Sequence, residues 1–380
     1  MGSSENEDAR IRMMHGGPFW ELMSRLGLRK RGWRAVVFAT LCWVVPVLLQ
    51  LATGGGYVAG LFLHDWGAWA KFLIAPVLLT LAEKPIGFAL DECASIMFRI
   101  PLVASQSMPE ALKGLRDARA RTTTGFPELV CLAIAVAASG LNAASFLSGA
   151  APGWAISNTG LSMAGIWCVV FSNTVYWFLL ARLIWKHLVW AGFLSGIGRC
   201  HLRLAVTHPD GHGGLGFVGF YPAGGALFTL AASSVAAASI GHVMQRQTVT
   251  PTLFTVVCAA WLAIVLAYYA FPLVGLSGKI ARVKQKAMML SLAKATDFER
   301  RMESIVMGEN VFPDEAETDA TDVKDVKPIY QASLKTSALL IDKSNVLSVL
   351  VPALLPLLVV GASYLPYSQL GPIMKRLLLL

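Results

Sequence analysis

The chain has 380 residues, 55% apolar and only 14% charged, with a mean hydropathy of +0.58. A soluble domain carries about 25% charged residues and leaves much of its surface facing water, so this composition excludes a soluble globular fold and calls for lipid as solvent. The formal charge of +9 does not call for nucleic acid, because basic residues beside membrane spans hold loops in the cytoplasm; no nucleic-acid role is expected.

Residues 1–34 read as a cytoplasmic tail that ends in the basic cluster Arg25, Arg29, Lys30, Arg31 and Arg34. An apolar run at 35–51 follows at once and is read as an uncleaved first span. Crossing about 30 Å of hydrocarbon takes about 20 apolar residues, and further runs of that kind lie at 66–90, 126–147, 161–184, 217–240 and 252–276. A seventh at 346–364 contains Pro352 and Pro356, which leaves open a full crossing or a broken, partly re-entrant segment. The expected fold is an all-α polytopic transmembrane bundle, six spans within 35–276 plus the seventh apolar segment in 346–380. Loops 91–125, 185–216 and the start of 277–345 are basic, whereas 54–65 and 148–158 carry no Lys or Arg. That alternation predicts a cytoplasmic N-terminus. Stretches of small residues such as Ala231, Ala232, Ser233 and Ser234 let helices approach closely in lipid, and a homo-oligomer is expected.

Cysteines 42, 93, 131, 168, 200 and 258 are widely spaced, with neither a disulfide framework nor a cysteine zinc pattern. Ser107-Met108-Pro109-Glu110 has the form of a capping box, and a helix is predicted from there to about Arg121. Segment 277–345 is the largest soluble piece. Met288, Leu292, Ala295, Phe298, Met302 and Ile305 recur at helical spacing, predicting an amphipathic helix over 286–306. An acidic loop follows at 308–327, and the whole segment is a candidate dock for a cytoplasmic protein.

Two features carry candidate chemistry. In the second span, Glu83 and Lys84 precede Pro85. Ionisable groups in hydrocarbon cost roughly 2.5–3.5 kcal/mol each and usually face a bundle interior or water, and Pro85 leaves the Leu81 carbonyl without its helical donor. A helix resuming after Pro85 would place Asp91 and Glu92 at the inner mouth, so Glu83, Lys84, Asp91 and Glu92 are the candidate pathway and gating residues. Snorkelling or simple pairing of Glu83 is the plainer alternative. The second feature is the loop from Cys200 to Phe217, with His201, Arg203, His208, Asp210 and His212 among glycines. In an extended backbone His208, Asp210 and His212 project to one side and, with His201, form a candidate divalent-metal set. Alternatively, Arg203 and the amides of Gly211, Gly213 and Gly214 form an anion cradle beside the next helix, or the segment is only a tight Pro-Asp-Gly turn. His15, His64, His187 and His242 look solitary.

The run Thr207-His208-Pro209-Asp210-Gly211-His212-Gly213-Gly214-Leu215-Gly216-Phe217 resembles a loop of uncharacterised bacterial multi-pass inner-membrane proteins. The likeness covers about 15 residues; it implies a bacterial inner membrane and carries no activity. The sequence therefore predicts a channel or transporter for ions or small solutes. The alternatives are an interaction or signalling protein acting through 277–345 and a metal-dependent membrane enzyme using the histidine loop.

Overall fold

The computed structural model describes residues 16–158, 160–308, 326–340 and 343–365. Among these the only sheet is a two-stranded pair, Ile156–Ser157 with Gly160–Leu161. Seven helices are long and apolar enough to cross a membrane: Arg31–Leu63, Trp66–Arg99, Gly125–Gly149, Met163–Arg199, Gly216–Arg246, Pro251–Met307 and Asn345–Tyr364. We call them spans 1 to 7 and conclude that the protein is a multi-pass integral membrane protein with an all-α bundle. Residues 309–325 of the predicted acidic loop, His15 and the last fifteen residues lie outside the described residues.

Every predicted run coincides with an observed span, but spans 2, 4 and 6 run well beyond what lipid requires. Their extensions emerge on the face that carries the N-terminal helix Pro18–Arg25, here the N-face. There the spans pack with the helix Met108–Thr123 and the loop after span 4 around Met97, Trp190, Leu194, Leu215 and Leu276. The amphipathic segment 286–306 is therefore no separate element: it continues span 6 as one helix ended by Gly308 at φ 75°, the left-handed conformation that glycine supplies at a helix C-terminus. Span 7 is also continuous through Pro352 and Pro356, packed against span 5 through Ala353, Leu357 and Val360.

Proline shapes the opposite half. Pro46 has no N–H, so the Cys42 carbonyl four residues back loses its helical donor. The chain answers with a π-helical turn at Thr40–Val44 and a cross-helix bond, in which the Ser172 hydroxyl donates to Cys42 O at 2.9 Å. Trp167 Nε1 donates to the neighbouring Leu41 O at 2.8 Å. Similar turns occur at Trp69–Ile74, just before Pro76, and at Cys168–Ser172, and both touch the first. Freed carbonyls thus become glue between spans 1 and 4.

Span 5 starts with a 3-10 stretch, Gly216–Gly225, where two glycines permit close approach. A Cβ on Gly225 would lie 2.0 Å from the Tyr269 hydroxyl, and one on Gly224 would lie 2.8 Å from the Pro85 carbonyl. The Tyr269 hydroxyl donates to Gly225 O at 3.0 Å and contacts Thr229 Oγ1 at 2.9 Å. Gly225→Ala should therefore force these helices apart and cost roughly 1–3 kcal/mol by overpacking. A melting temperature in detergent equal to wild type would contradict this packing.

Candidate functional site

Glu83 is 3% exposed, but not through a partnership with Lys84, which is exposed on the same helix. Spans 1, 3 and 4 supply its surroundings. Arg182 NH1 donates to Glu83 Oε1, while Arg34 NH2 and Arg31 Nε stand 3.4 and 3.7 Å from Glu83 Oε2. Arg182 also reaches the first turn of span 3, where its Nε donates to Glu128 Oε1 at 2.8 Å. The Phe19 N–H donates to Glu128 Oε2 at 2.7 Å, and the Phe19 ring covers the Arg182 guanidinium at 4.7 Å. Lys186, one turn beyond Arg182, is 3% exposed and shares the field of both carboxylates. Four cations and two carboxylates thus occupy the N-face half of the bundle.

The N-terminal chain closes over this network. Gly16 and Gly17 take φ near 100°, and Gly17 passes so close to Glu128 that a Cβ would lie 2.9 Å from Oε1. Pro18 then starts the short helix. Asp91 is half-buried and Glu92 exposed, both farther along span 2 toward the N-face. Of the four predicted pathway residues, Glu83 alone enters the buried network.

Sequence reasoning missed Arg182, Glu128 and Arg34. The first two lie inside the predicted spans 161–184 and 126–147, and an ionisable residue inside a span is itself the signal. Arg34 had been grouped with the flanking basic tail, yet it is 2% exposed.

The opposite face holds a smaller polar site. Asp65 caps the start of span 2, accepting from Gly67 N–H at 2.7 Å; it also accepts from Trp154 Nε1 at 2.7 Å and stands 3.2 Å from His242 Nε2. Burial pushes the Asp65 carboxyl up, but the contacts from His242, Trp154 and Gly67 outweigh it and hold the group below its ordinary value. Lys71, His242 and Arg246 line a cavity of about 290 Å³ beside it. His242 is therefore paired rather than solitary. His187 is not solitary either, stacking on Tyr268 at 3.8 Å.

The histidine loop takes a different form from either chemical reading. Its backbone is not extended: Gly211, Gly213 and Gly214 all have positive φ, so His208, Asp210 and His212 do not line one edge. The Asp210 carboxylate turns inward and accepts backbone N–H groups from His212 at 2.9 Å, Gly214 at 3.0 and 3.1 Å, and Gly216 at 2.8 Å. Of the three amides expected to form the anion cradle, that of Gly214 thus already holds the chain's own carboxylate, and Arg203 is exposed, its N–H bonded to Leu102 O at 2.7 Å. His208 Nδ1 contacts Asp210 at 2.8 Å, His212 Nδ1 bonds Ser337 O at 3.1 Å, and His201 lies 3.4 Å from Ser107 Oγ. Among the described residues no group of three or more His, Cys, Asp or Glu is arranged to hold a metal ion. Ser107 likewise departs from its expected part. The helix starts at Met108 as predicted, but the Ser107 hydroxyl accepts from His201 N–H at 3.1 Å instead of capping.

The loop is clamped from outside by the segment after Lys327–Lys335. Ser337 N–H donates to Gly211 O at 2.9 Å and Thr336 Oγ1 to Val206 O at 3.1 Å, while Lys284 of span 6 reaches Thr336 O at 2.7 Å. Comparison with protein families, curated proteins and solved structures gives no match.

Burial raises the Asp210 carboxyl, but the N–H bonds from Gly216, His212 and Gly214 and the contact with His208 lower it further, so it sits below its ordinary value. Its contribution to stability is then complete above the usual carboxylate range, near pH 4, and is lost as pH falls through the lower folded value. Asp210→Ala should cost roughly 2–3 kcal/mol at pH 7 through lost charge-assisted bonds, and much less at a pH low enough to protonate the folded carboxylate. An equal effect at both pH values would exclude the ionised carboxylate as the holder of this loop. In the buried network, Arg182→Met removes the cation that both carboxylates share and should cost about 3–5 kcal/mol. Lys84→Ala, at an exposed position, should stay within about 0.5 kcal/mol. Similar melting temperatures for the two variants would refute this division.

Proposed function

We propose that the protein is a channel or transporter of a bacterial inner membrane that moves ions or small solutes, with its N-face in the cytoplasm. The observation that carries this reading is the buried network of Glu83, Glu128, Arg31, Arg34, Arg182 and Lys186 between spans 1 to 4. Ionisable groups in a membrane bundle are costly, and their usual place is a solute or ion path. A polar cavity at the other end of the same spans, around Lys71 and Asp65, supports it. The layer between the two is mostly apolar and aromatic, with Ala75, Leu79, Tyr176, Leu179 and Leu183, and holds the small buried polar side chains Thr80, Ser139 and Asn173 but no ion pair among the described residues. Lys71 and Glu83 are twelve residues apart on span 2, about 18 Å along a helix. Charged stations separated by a mostly apolar layer are what a closed conduit requires.

The basic loops on the N-face support the cytoplasmic assignment, and the loop resemblance supports the bacterial inner membrane. Span 3, the least buried of the seven, exposes Ala133, Ala137 and Gly140, small residues suited to packing against a second copy in a homo-oligomer. A second reading, docking of a cytoplasmic protein, draws on the distal part of span 6, where Leu292, Ile305 and Val306 are exposed.

The test is flux of potassium, chloride and phosphate into liposomes under a set potential. Wild type should exceed protein-free liposomes, Glu83→Gln should change the rate at least tenfold, and Lys84→Ala should not. Should Glu83→Gln fail to fold, Lys71→Gln at the opposite cavity supplies the second measurement. No flux above protein-free liposomes for any of the three ions would sink the transport reading.

A further inference from the structure

The buried network has more donors than acceptors. All four carboxylate oxygens are engaged: Glu83 Oε1 by Arg182, Glu83 Oε2 by Arg34 and Arg31, Glu128 Oε1 by Arg182, and Glu128 Oε2 by the Phe19 N–H. Each guanidinium brings five N–H groups and accepts nothing. Arg34 Nε and NH1, Arg182 NH2 and Arg31 Nε are buried without a hydrogen-bond partner among the described residues. Arg34 and Arg182 are 2% and 1% exposed, so these are built positions and not surface side chains. Lys186, 3% exposed, brings a further amine into the same field. Orphaned charged donors at low dielectric are expensive, and a group that brings negative charge and several acceptor oxygens relieves both deficits at once.

We propose that Arg34, Arg182 and Lys186 form a binding site for a small oxyanion, a phosphate, sulfate or carboxylate group. Guanidinium forks match the paired oxygens of such groups, which a spherical anion lacks. Arg31, at 23% exposure the most open of the cationic members, marks the way in, and the helix Pro18–Arg25 covers the site beside it through Phe19. The opposite end agrees in sign. Lys71, His242 and Arg246 line its cavity, and the carboxylate there, Asp65, is already held by Gly67, Trp154 and His242. As an account of the solute moved, the proposal rests on the transport reading above; as a binding site it does not. The oxyanion has two sources, a free solute or the phosphate of a lipid headgroup.

The experiment is a melting-temperature titration of delipidated protein in detergent with sodium phosphate, sodium sulfate and sodium chloride at matched ionic strength, beside native mass spectrometry for retained lipid. A free oxyanion should raise the melting temperature by roughly 3–5 °C at about 100 times its Kd. Chloride should do far less, and Arg34→Gln and Lys186→Gln should each abolish the rise. A lipid source shows instead as a retained anionic phospholipid that both variants lose, with no phosphate response until it is stripped. Equal responses to all three salts, or responses and lipid retention unchanged in whichever variants fold, overturn the site. If both variants fail to fold, radiolabelled phosphate binding to wild type that sulfate displaces and chloride does not supports it; no saturable binding overturns it. Binding without flux keeps this inference and removes the transport reading; flux without oxyanion binding does the reverse.

Discussion

The arrangement of the first four spans depends on one interaction, the bridging of Glu83 and Glu128 by Arg182. A single planar guanidinium meets carboxylates from two different helices, which fixes spans 2, 3 and 4 relative to one another more tightly than apolar contact can. Lipid tails are as apolar as leucine, so burial alone gives helices little reason to choose one register over another. A charge that must meet its partner does give one, because the alternative is an unpaired ion in hydrocarbon. Arg34 joins span 1 to the same point, and the Phe19 N–H joins the N-terminal helix. The rest of the N-face half follows: once spans 2 and 4 are fixed, their extensions form the frame into which the helix Met108–Thr123 and the glycine loop pack.

That glycine loop shows how a chemical motif becomes a structural one. Histidines, an aspartate and glycines at short spacing suit metal or anion chemistry equally well on paper. In the fold the glycines curl the chain around Asp210, whose carboxylate accepts the N–H groups of His212, Gly214 and Gly216. These bonds tie the loop together, and its outer edge becomes a platform for Thr336 and Ser337. The segment predicted to meet a partner protein thus first meets its own chain.

What the sequence reveals divides along the range of the interaction. Spans are legible because each is a local property, about twenty apolar residues in a row. Glu83 is legible for the same reason, as a charge inside such a run. Its partners are not, since Arg182, Glu128 and Arg34 are separated from it by tens of residues and only three-dimensional packing selects them from the other charges near span ends. Ser107 illustrates the limit from the other side. The local pattern fixes where the helix begins, but the hydroxyl goes to His201, 94 residues away, a competitor that no local reading contains. The helix does run on through Pro85, but the approach of Gly224 of span 5 to its carbonyl is again a contact that no local reading contains.

The two halves of the bundle then differ in kind. Near the opposite face, prolines and π-helical turns free carbonyls that are answered by hydroxyl and indole donors, all neutral, so helices there can be bound together without charge. Near the N-face the connections are ionic and incomplete in acceptors. A buried, donor-rich ionic cluster is not what stability alone selects, since replacing a buried ion network with apolar side chains of similar volume is often neutral or stabilising. Keeping four cations against two carboxylates inside the bundle carries a continuing energetic cost. The physical property such a cluster has, and an apolar core lacks, is a standing attraction for negative charge.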